Sequence, residues 1–190
     1  GFFNSKHNIN LSLYDISSKQ IDKTQLFLKK SIPKQYKNIY FFKRFSEIKG
    51  SFDLAVIATN AKNRYEIVKK INSKMKIKHW VLEKILEQSP ERCTQIIDTI
   101  RNNDLAWVNL PRRCMKFYKK LKKQFSNKNI KEIKIIGGNW GLACNSIHFM
   151  DLIEFLSDDI IENFKFFTND KFWFPSKREG FYEINGYFRG

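Results

Sequence analysis

Apolar positions along the first half of the chain alternate between two spacings, one of strands and one of helices. "NINLSLYD" (Asn8 to Asp15) alternates with a period of two and ends on an acid, which predicts a strand. "SSKQIDKTQLFLKKS" after it has a helical pattern, and "NIYFFKRF" predicts a second short strand. "FDLAVIAT" (Phe52 to Thr59) is almost continuously apolar, as in a strand buried on both faces of a parallel sheet. A helix follows, about Asn63 to Met75, with Ile67, Val68, Ile71 and Met75 on one stripe, and then a strand at "HWVLEK". Ser89 as N-cap with Pro90 at the first helical position announces the next helix. Its Cys93, Ile96, Ile97 and Ile100 share one face. "LAWVNL" (Leu105 to Leu110) closes the series as a further strand.

Strands alternating with helices imply an α/β fold, a parallel sheet covered by helices. In such sheets ligands bind outside the carboxyl ends of the strands. Those ends carry Asp15, Thr59–Asn60, Glu83–Lys84 and Asn109. After Pro111 the pattern changes. A basic helix, about Arg113 to Phe125, leads into "IKEIKIIGGNW", which alternates like a strand. "CNSIHFMDLIEFL" predicts a helix, and "IENFKFF" and "GFYEINGYF" predict strands. The expected organisation is a parallel domain over residues 1–111 and a partial α+β domain with an open, mostly antiparallel sheet over 112–190.

With 42% hydrophobic and 15% aromatic residues, the chain can fill a core. No apolar run reaches the length of a bilayer span, so no membrane partner is expected. Cys93, Cys114 and Cys144 are widely spaced and form no metal-ligand pattern, which predicts reduced thiols, a cytoplasmic protein and no bound metal. The net charge of +16 raises a polyanion partner. Lysine, however, is spread along the chain. In the densest run, Lys119 to Lys128, Phe117, Leu121 and Phe125 recur every four residues, so the lysines read as the wet side of a helix. No nucleic-acid partner is therefore expected.

The sequence contains no G-x-G-x-x-G. In a dinucleotide-binding fold that loop precedes a ribose-binding acid by about 20 residues. Asp15, with 14 residues before it, is in the position of that acid, or else caps the helix after it. On the first reading the glycine loop and its strand belong before Gly1, and "GFFNSK" is the tail of the first helix. Gly1 in place of Met, and an alternating segment at the end with nothing to pair, likewise predict a piece of a longer chain, inactive by itself. Asp15 as a ribose acceptor favours NAD over NADP, although Ser17 and Lys19 nearby are compatible with a phosphate.

Two further groups carry chemistry. His148 and Asp151 in "HFMD" are three apart on a helix, on neighbouring positions of one face. An imidazole with an ordinary pKa near ~6.5 suits proton transfer at neutral pH, though a histidine near a helix start also serves structure alone. Lys84 beside Glu83 is either a surface ion pair, worth about 0–1 kcal/mol, or a charge at the mouth of a ligand site.

"DLAVIATNAKNRYEIVKKI…VLEKI", "VNLPRR" and "GGNWGLACNSIHFMDLIEFL" together resemble the Gfo/Idh/MocA family of sugar and polyol oxidoreductases, over about Asn10 to Leu156. The resemblance places the family's threonine after the fourth strand at Thr59. It places the Glu-Lys-Pro motif at Glu83–Lys84, with Ile85 in the proline position, and the His-x-x-Asp segment at His148 and Asp151. It implies a Rossmann-like sheet lacking its first strand, then an incomplete second domain. It implies hydride transfer between NAD or NADP and a hydroxyl of a sugar or nucleotide sugar, in surface-polysaccharide or aminosugar metabolism. Lys84 would reach the reacting hydroxyl and His148 would exchange its proton, with Asp15, Thr59, Asn60 and Glu83 lining the cofactor. Asn145, Arg113 and Trp140 are weaker candidates for substrate contact, and each fits a structural role better. Members commonly associate through the second-domain sheet, so a homo-oligomer is expected of the whole protein. The family commonly has an Asp four residues before the histidine, where this chain has Cys144. That departure supports the alternative, a non-catalytic sugar-binding member of the same fold.

Overall fold

The computed structural model describes residues 8–100, 105–126, 130–137, 140–168 and 172–190. "GFFNSK", the expected tail of a first helix, lies outside them. The chain divides into two compact units, Gly1–Phe52 with Ser73–Lys76, and Asp53–Asn72 with Ile77–Gly190.

The first unit is built on β1 (Leu11–Tyr14) and β2 (Ile39–Phe42), joined through α1 (Ser18–Ser31). The strands run parallel, from Leu11 against Ile39 to Tyr14 against Phe42, the pairing that requires a crossover helix. Ser17 caps α1, its hydroxyl accepting from the Gln20 amide at 3.3 Å. Ile21 of α1 and Ile39 of β2 are buried.

The second unit contains most of a three-stranded sheet in the order β3 (Gly50–Ile57), β4 (Met75–Glu83), β5 (Leu105–Asn109), with α2 (Arg64–Asn72) and α3 (Pro90–Ile100). β4 and β5 are parallel, His79 facing Leu105 and Glu83 facing Asn109. β4 is central, and its Trp80 and Leu82 form the core with Val68 of α2 and Ile96 and Ile100 of α3. A doubly wound dinucleotide fold has the strand order 3-2-1-4-5-6. Without its first strand, that order leaves a pair and a trio, as found here.

Beyond a 3-10 turn at Pro111–Cys114 come α4 (Lys116–Phe125) and α5 (Leu142–Ser157). Four short strands follow: β6 (Lys165–Thr168), β7 (Phe174–Pro175), β8 (Tyr182–Glu183) and β9 (Gly186–Arg189). β6 pairs antiparallel with β9, and β7 with β8. No described helix is long and apolar enough to cross a membrane.

Five sequence expectations are corrected. The β3 segment is not buried on both faces: Leu54 is 38% and Val56 53% exposed, because β3 is the outer strand of its sheet. The helix expected to Met75 ends at Asn72. Met75 instead opens β4, where it and Ile77 are buried on alternate positions. The alternating run after Asn129 forms no strand over residues 130–137, and no described strand pairs with it. "GFYEINGYF" is two strands rather than one, broken at Ile184–Asn185, and each has a partner. In α4, Phe117 is 67% exposed. Lys122 takes the inner side instead, donating to the Phe155 carbonyl at 2.6 Å and lying over its ring.

The predicted α3 cap forms: the Ser89 hydroxyl accepts from the Arg92 amide at 3.2 Å and its carbonyl from Cys93 at 3.1 Å. Ser89→Ala should cost about 1 kcal/mol and lower Tm by about 2–4 °C. Thermal unfolding measures it, and an unchanged midpoint would show that water replaces the cap at no cost.

Candidate active site

The carboxyl ends of β3 and β4 are joined by a side chain that the sequence reading passed over. Arg64, the first residue of α2, is fully buried. One terminal nitrogen donates to the carbonyls of Glu83 at 2.5 Å and Leu86 at 2.7 Å, and to that of Ile85. The other donates to the Thr59 carbonyl. Its backbone amide donates to the buried Glu87 carboxylate at 3.0 Å. Burial lowers the guanidinium's pKa, against the Glu87 and Glu83 charges that raise it. A planar fork with five donors can reach carbonyls on two separate strand ends, more than the three donors of a compact ammonium can serve. A weak signal was present: only eight of the 35 basic residues are arginine in a lysine-biased chain.

Thr59 and Asn60 follow β3. Asn60 caps the 3-10 turn Ala61–Asn63, its side-chain oxygen accepting from the Lys62 amide at 3.2 Å. Glu83 joins the ends of β4 and β5, with one oxygen accepting from Asn109 Nδ2 at 3.0 Å and the other from the Lys84 amide at 3.1 Å. The Lys84–Ile85 peptide bond is cis.

Lys84 does not pair with the Glu83 carboxylate through its ammonium. Its Nζ donates to the Cys144 carbonyl at 2.7 Å and lies 3.5 Å from Cys144 Sγ, on the first turn of α5. His148, four residues further along, feels this charge. Burial first, then Lys84 and Arg112, lower the His148 pKa, while Glu83 and Asp151 pull the other way. Its Nδ1 is buried with no partner among the described residues. The structure thus brings Lys84 and His148 into one electrostatic neighbourhood from separate elements.

Asp151 is not the partner of His148. It is buried and its carboxylate is held by Arg113, one contact being Nε to Oδ2 at 3.1 Å. The Arg113 charge is therefore met within the protein, and Asp151 raises its pKa. Asn145 Nδ2 donates to the Trp140 carbonyl, and the Trp140 ring packs edge-on against Phe149 with centroids 5.0 Å apart. Arg112 lies over the other participant in that contact, its guanidinium 4.1 Å from the Phe149 ring centre. Asp15, in the first unit, accepts from the Ser17 amide at 2.7 Å, just before the cap of α1. It supports the turn that leads into α1, while the cap itself is Ser17.

No family model matches the sequence, and no curated protein matches it. Solved structures do. A super-repressor mutant of Gal80p from Saccharomyces cerevisiae superimposes with a TM-score of 0.62 at 16% identity, over 84% of this chain and 47% of that one. A probable dehydrogenase from Thermotoga maritima gives 0.60 at 14%, over 85% and 52%. A myo-inositol 2-dehydrogenase from Lactobacillus plantarum gives 0.56 at 15%, over 78% and 48%. The chain shares its fold with these structures, a regulator and two dehydrogenases among them. It spans about half the length of each of these structures. Within that fold, Lys84 is at the carboxyl end of the central strand of the trio, and His148 is on the helix that carries its carbonyl partner.

Two measurements test this geometry. Arg64→Met leaves four carbonyls without their donor, and should cost about 3–5 kcal/mol in urea unfolding. Arg64→Lys should recover less than half of that, and a loss below about 1 kcal/mol for Arg64→Met would refute the role given to it. The second concerns pH. His148 has a folded pKa below its ordinary 6.5, so the unfolded chain binds this proton more readily. Stability is then intact above about pH 6.5 and declines as pH falls below it. His148→Gln should flatten that decline, and identical slopes for both proteins would contradict the lowered pKa of the half-buried imidazole.

Proposed function

We propose that the chain is the greater part of the ligand-binding region of an NAD(P)-dependent oxidoreductase acting on a hydroxyl of a sugar or nucleotide sugar. The observation that supports this most is that Lys84, at the end of β4, bonds the first turn of α5 and acts electrostatically on His148 one turn further along, in a fold shared with dehydrogenases.

The residues fit a nicotinamide cofactor in part. Asp15, Thr59–Asn60 and Glu83–Lys84 all follow parallel strands, where ligands bind in such sheets. No glycine-rich loop for a pyrophosphate occurs in the sequence. Asp15 would take the ribose hydroxyls, and Thr59, Asn60 and Glu83 would line the nicotinamide end. When bound, the nicotinamide supplies the hydride acceptor or donor. The Lys84 ammonium favours a developing alkoxide, and His148, held neutral near pH 7, accepts the hydroxyl proton at a ring nitrogen. Trp140, Asn145 and Arg113 border the substrate on this reading, Arg113 with its charge already paired. A cytoplasmic homo-oligomer in surface-polysaccharide or aminosugar metabolism completes the proposal.

A second reading has its own observation. Cys144 stands where a carboxylate would serve the imidazole, and the nearest acid on the helix, Asp151, is bound to Arg113. A sugar-binding protein of the same fold, without turnover, fits that arrangement. The Gal80p of Kluyveromyces lactis, a transcriptional regulator, shares the fold at a TM-score of 0.61, with 16% identity.

Fluorescence titration of the whole gene product with NADH and NADPH decides between them. The oxidoreductase reading expects saturable binding, weakened about 10–100-fold by Asp15→Ala through loss of charged hydrogen bonds. It also expects turnover of a nucleotide sugar that falls about 100–1,000-fold in Lys84→Ala. Absence of binding by either cofactor would leave the sugar-binding reading.

A further inference from the structure

The first turn of α5 is held by a residue 40 positions later in the chain. Glu183, on β8 and 8% exposed, turns its carboxylate to the open end of that helix. Oε1 accepts from the Ala143 amide at 2.7 Å, and the Cys144 amide donates to both oxygens at 3.3 and 3.2 Å. The Leu142 amide donates to the Ile184 carbonyl at 2.9 Å. A helix leaves its first four amides without internal partners, and Glu183–Ile184 takes three of them. A negative charge at this end is also favoured by the helix dipole.

The fit leaves no space. Gly141, just before α5, has a left-handed φ of 69°, and a Cβ there would lie 2.7 Å from Glu183 Oε2. A side chain at 141 would therefore displace the carboxylate as well as strain the backbone.

This anchor differs in kind from Ser89 on α3. Ser89 closes a helix from the adjoining residue, whereas Glu183 reaches from another strand, so it sets where the helix begins. The turn it sets is the one that carries the site. Cys144 gives its amide to Glu183 and its carbonyl to Lys84, and His148 is one turn further on. We propose that Glu183 is the positioning residue of Lys84 and His148, holding the first turn of α5 where the Cys144 carbonyl meets the Lys84 ammonium and His148, one turn further on, keeps its Nδ1 buried. The proposal rests on the reading of those two residues as the acting pair, but its test needs no turnover.

The test is the His148 titration, followed by NMR in the whole protein with labelled histidine. The groups acting on this imidazole are Lys84, Arg112, Glu83 and Asp151, and Glu183 is not among them. In Glu183→Ala the first turn of α5 is released, burial and the Lys84 influence diminish, and the His148 pKa rises toward its ordinary 6.5. Simple removal of a negative charge would move it the other way. Glu183→Gln keeps an acceptor oxygen for the Ala143 amide and should largely restore the parent value. If Glu183→Ala does not fold, Gly141→Ala gives the same reading, since it displaces the carboxylate with Glu183 still present. A folded Glu183→Ala or Gly141→Ala whose His148 titrates as in the parent overturns the proposal. Failure of the oxidoreductase reading would show separately, as no cofactor binding with the His148 response intact.

Discussion

One buried guanidinium holds the ends of two strands in place, and the candidate site depends on it. Desolvating a charge costs several kcal/mol even after relaxation. Arg64 offsets that cost by giving hydrogen bonds to the carbonyls of Thr59, Glu83, Ile85 and Leu86. Two of these carbonyls flank Lys84 directly. The backbone on both sides of the lysine is therefore tethered to the start of α2, and its side chain departs from a fixed point. This is how a residue in a connecting segment acquires the precision usually found within strands and helices.

Around that fixed point the charges are distributed unevenly. Glu83, next to Lys84 in sequence, gives its carboxylate to Asn109 and to the Lys84 amide. Asp151, on the helix of His148, gives its carboxylate to Arg113. The Lys84 ammonium is left on the Cys144 carbonyl, and His148 Nδ1 has no partner among the described residues. The result is an imidazole whose neutral form is favoured by burial and by positive neighbours. A neutral imidazole near pH 7 is what a proton acceptor requires. An imidazole without a carboxylate partner is also what a pocket that only binds can tolerate. The same electrostatic arrangement underlies both functional readings, which differ in cofactor binding and turnover rather than in fold.

Local features were legible where the physics is local. The Ser89–Pro90 start of α3 followed from residue type alone, since a cap bonds an amide three residues away. The succession of strands and helices and the polar strand ends followed from the apolar patterns. The errors arose where burial depends on a neighbour. Val56 is apolar in a run that reads as doubly buried, yet it is exposed on an outer strand. Phe117 has the spacing of a core residue, but α4 is turned so that Lys122 reaches the Phe155 carbonyl. The segment at 130–137 alternates like a strand and has no described partner to make it one.

The sequence by itself determined the periodicity of the elements, the caps and the candidate lysine and histidine, because each is written in residues within a turn or two of one another. Tertiary structure alone decided that Arg64 would bind four carbonyls, that Asp151 would go to Arg113 rather than His148, and that Glu183 would close α5. Those choices join residues up to 40 positions apart. Each was settled by which donor lay nearest an acceptor once water had been excluded, a competition that spacing along a chain does not encode.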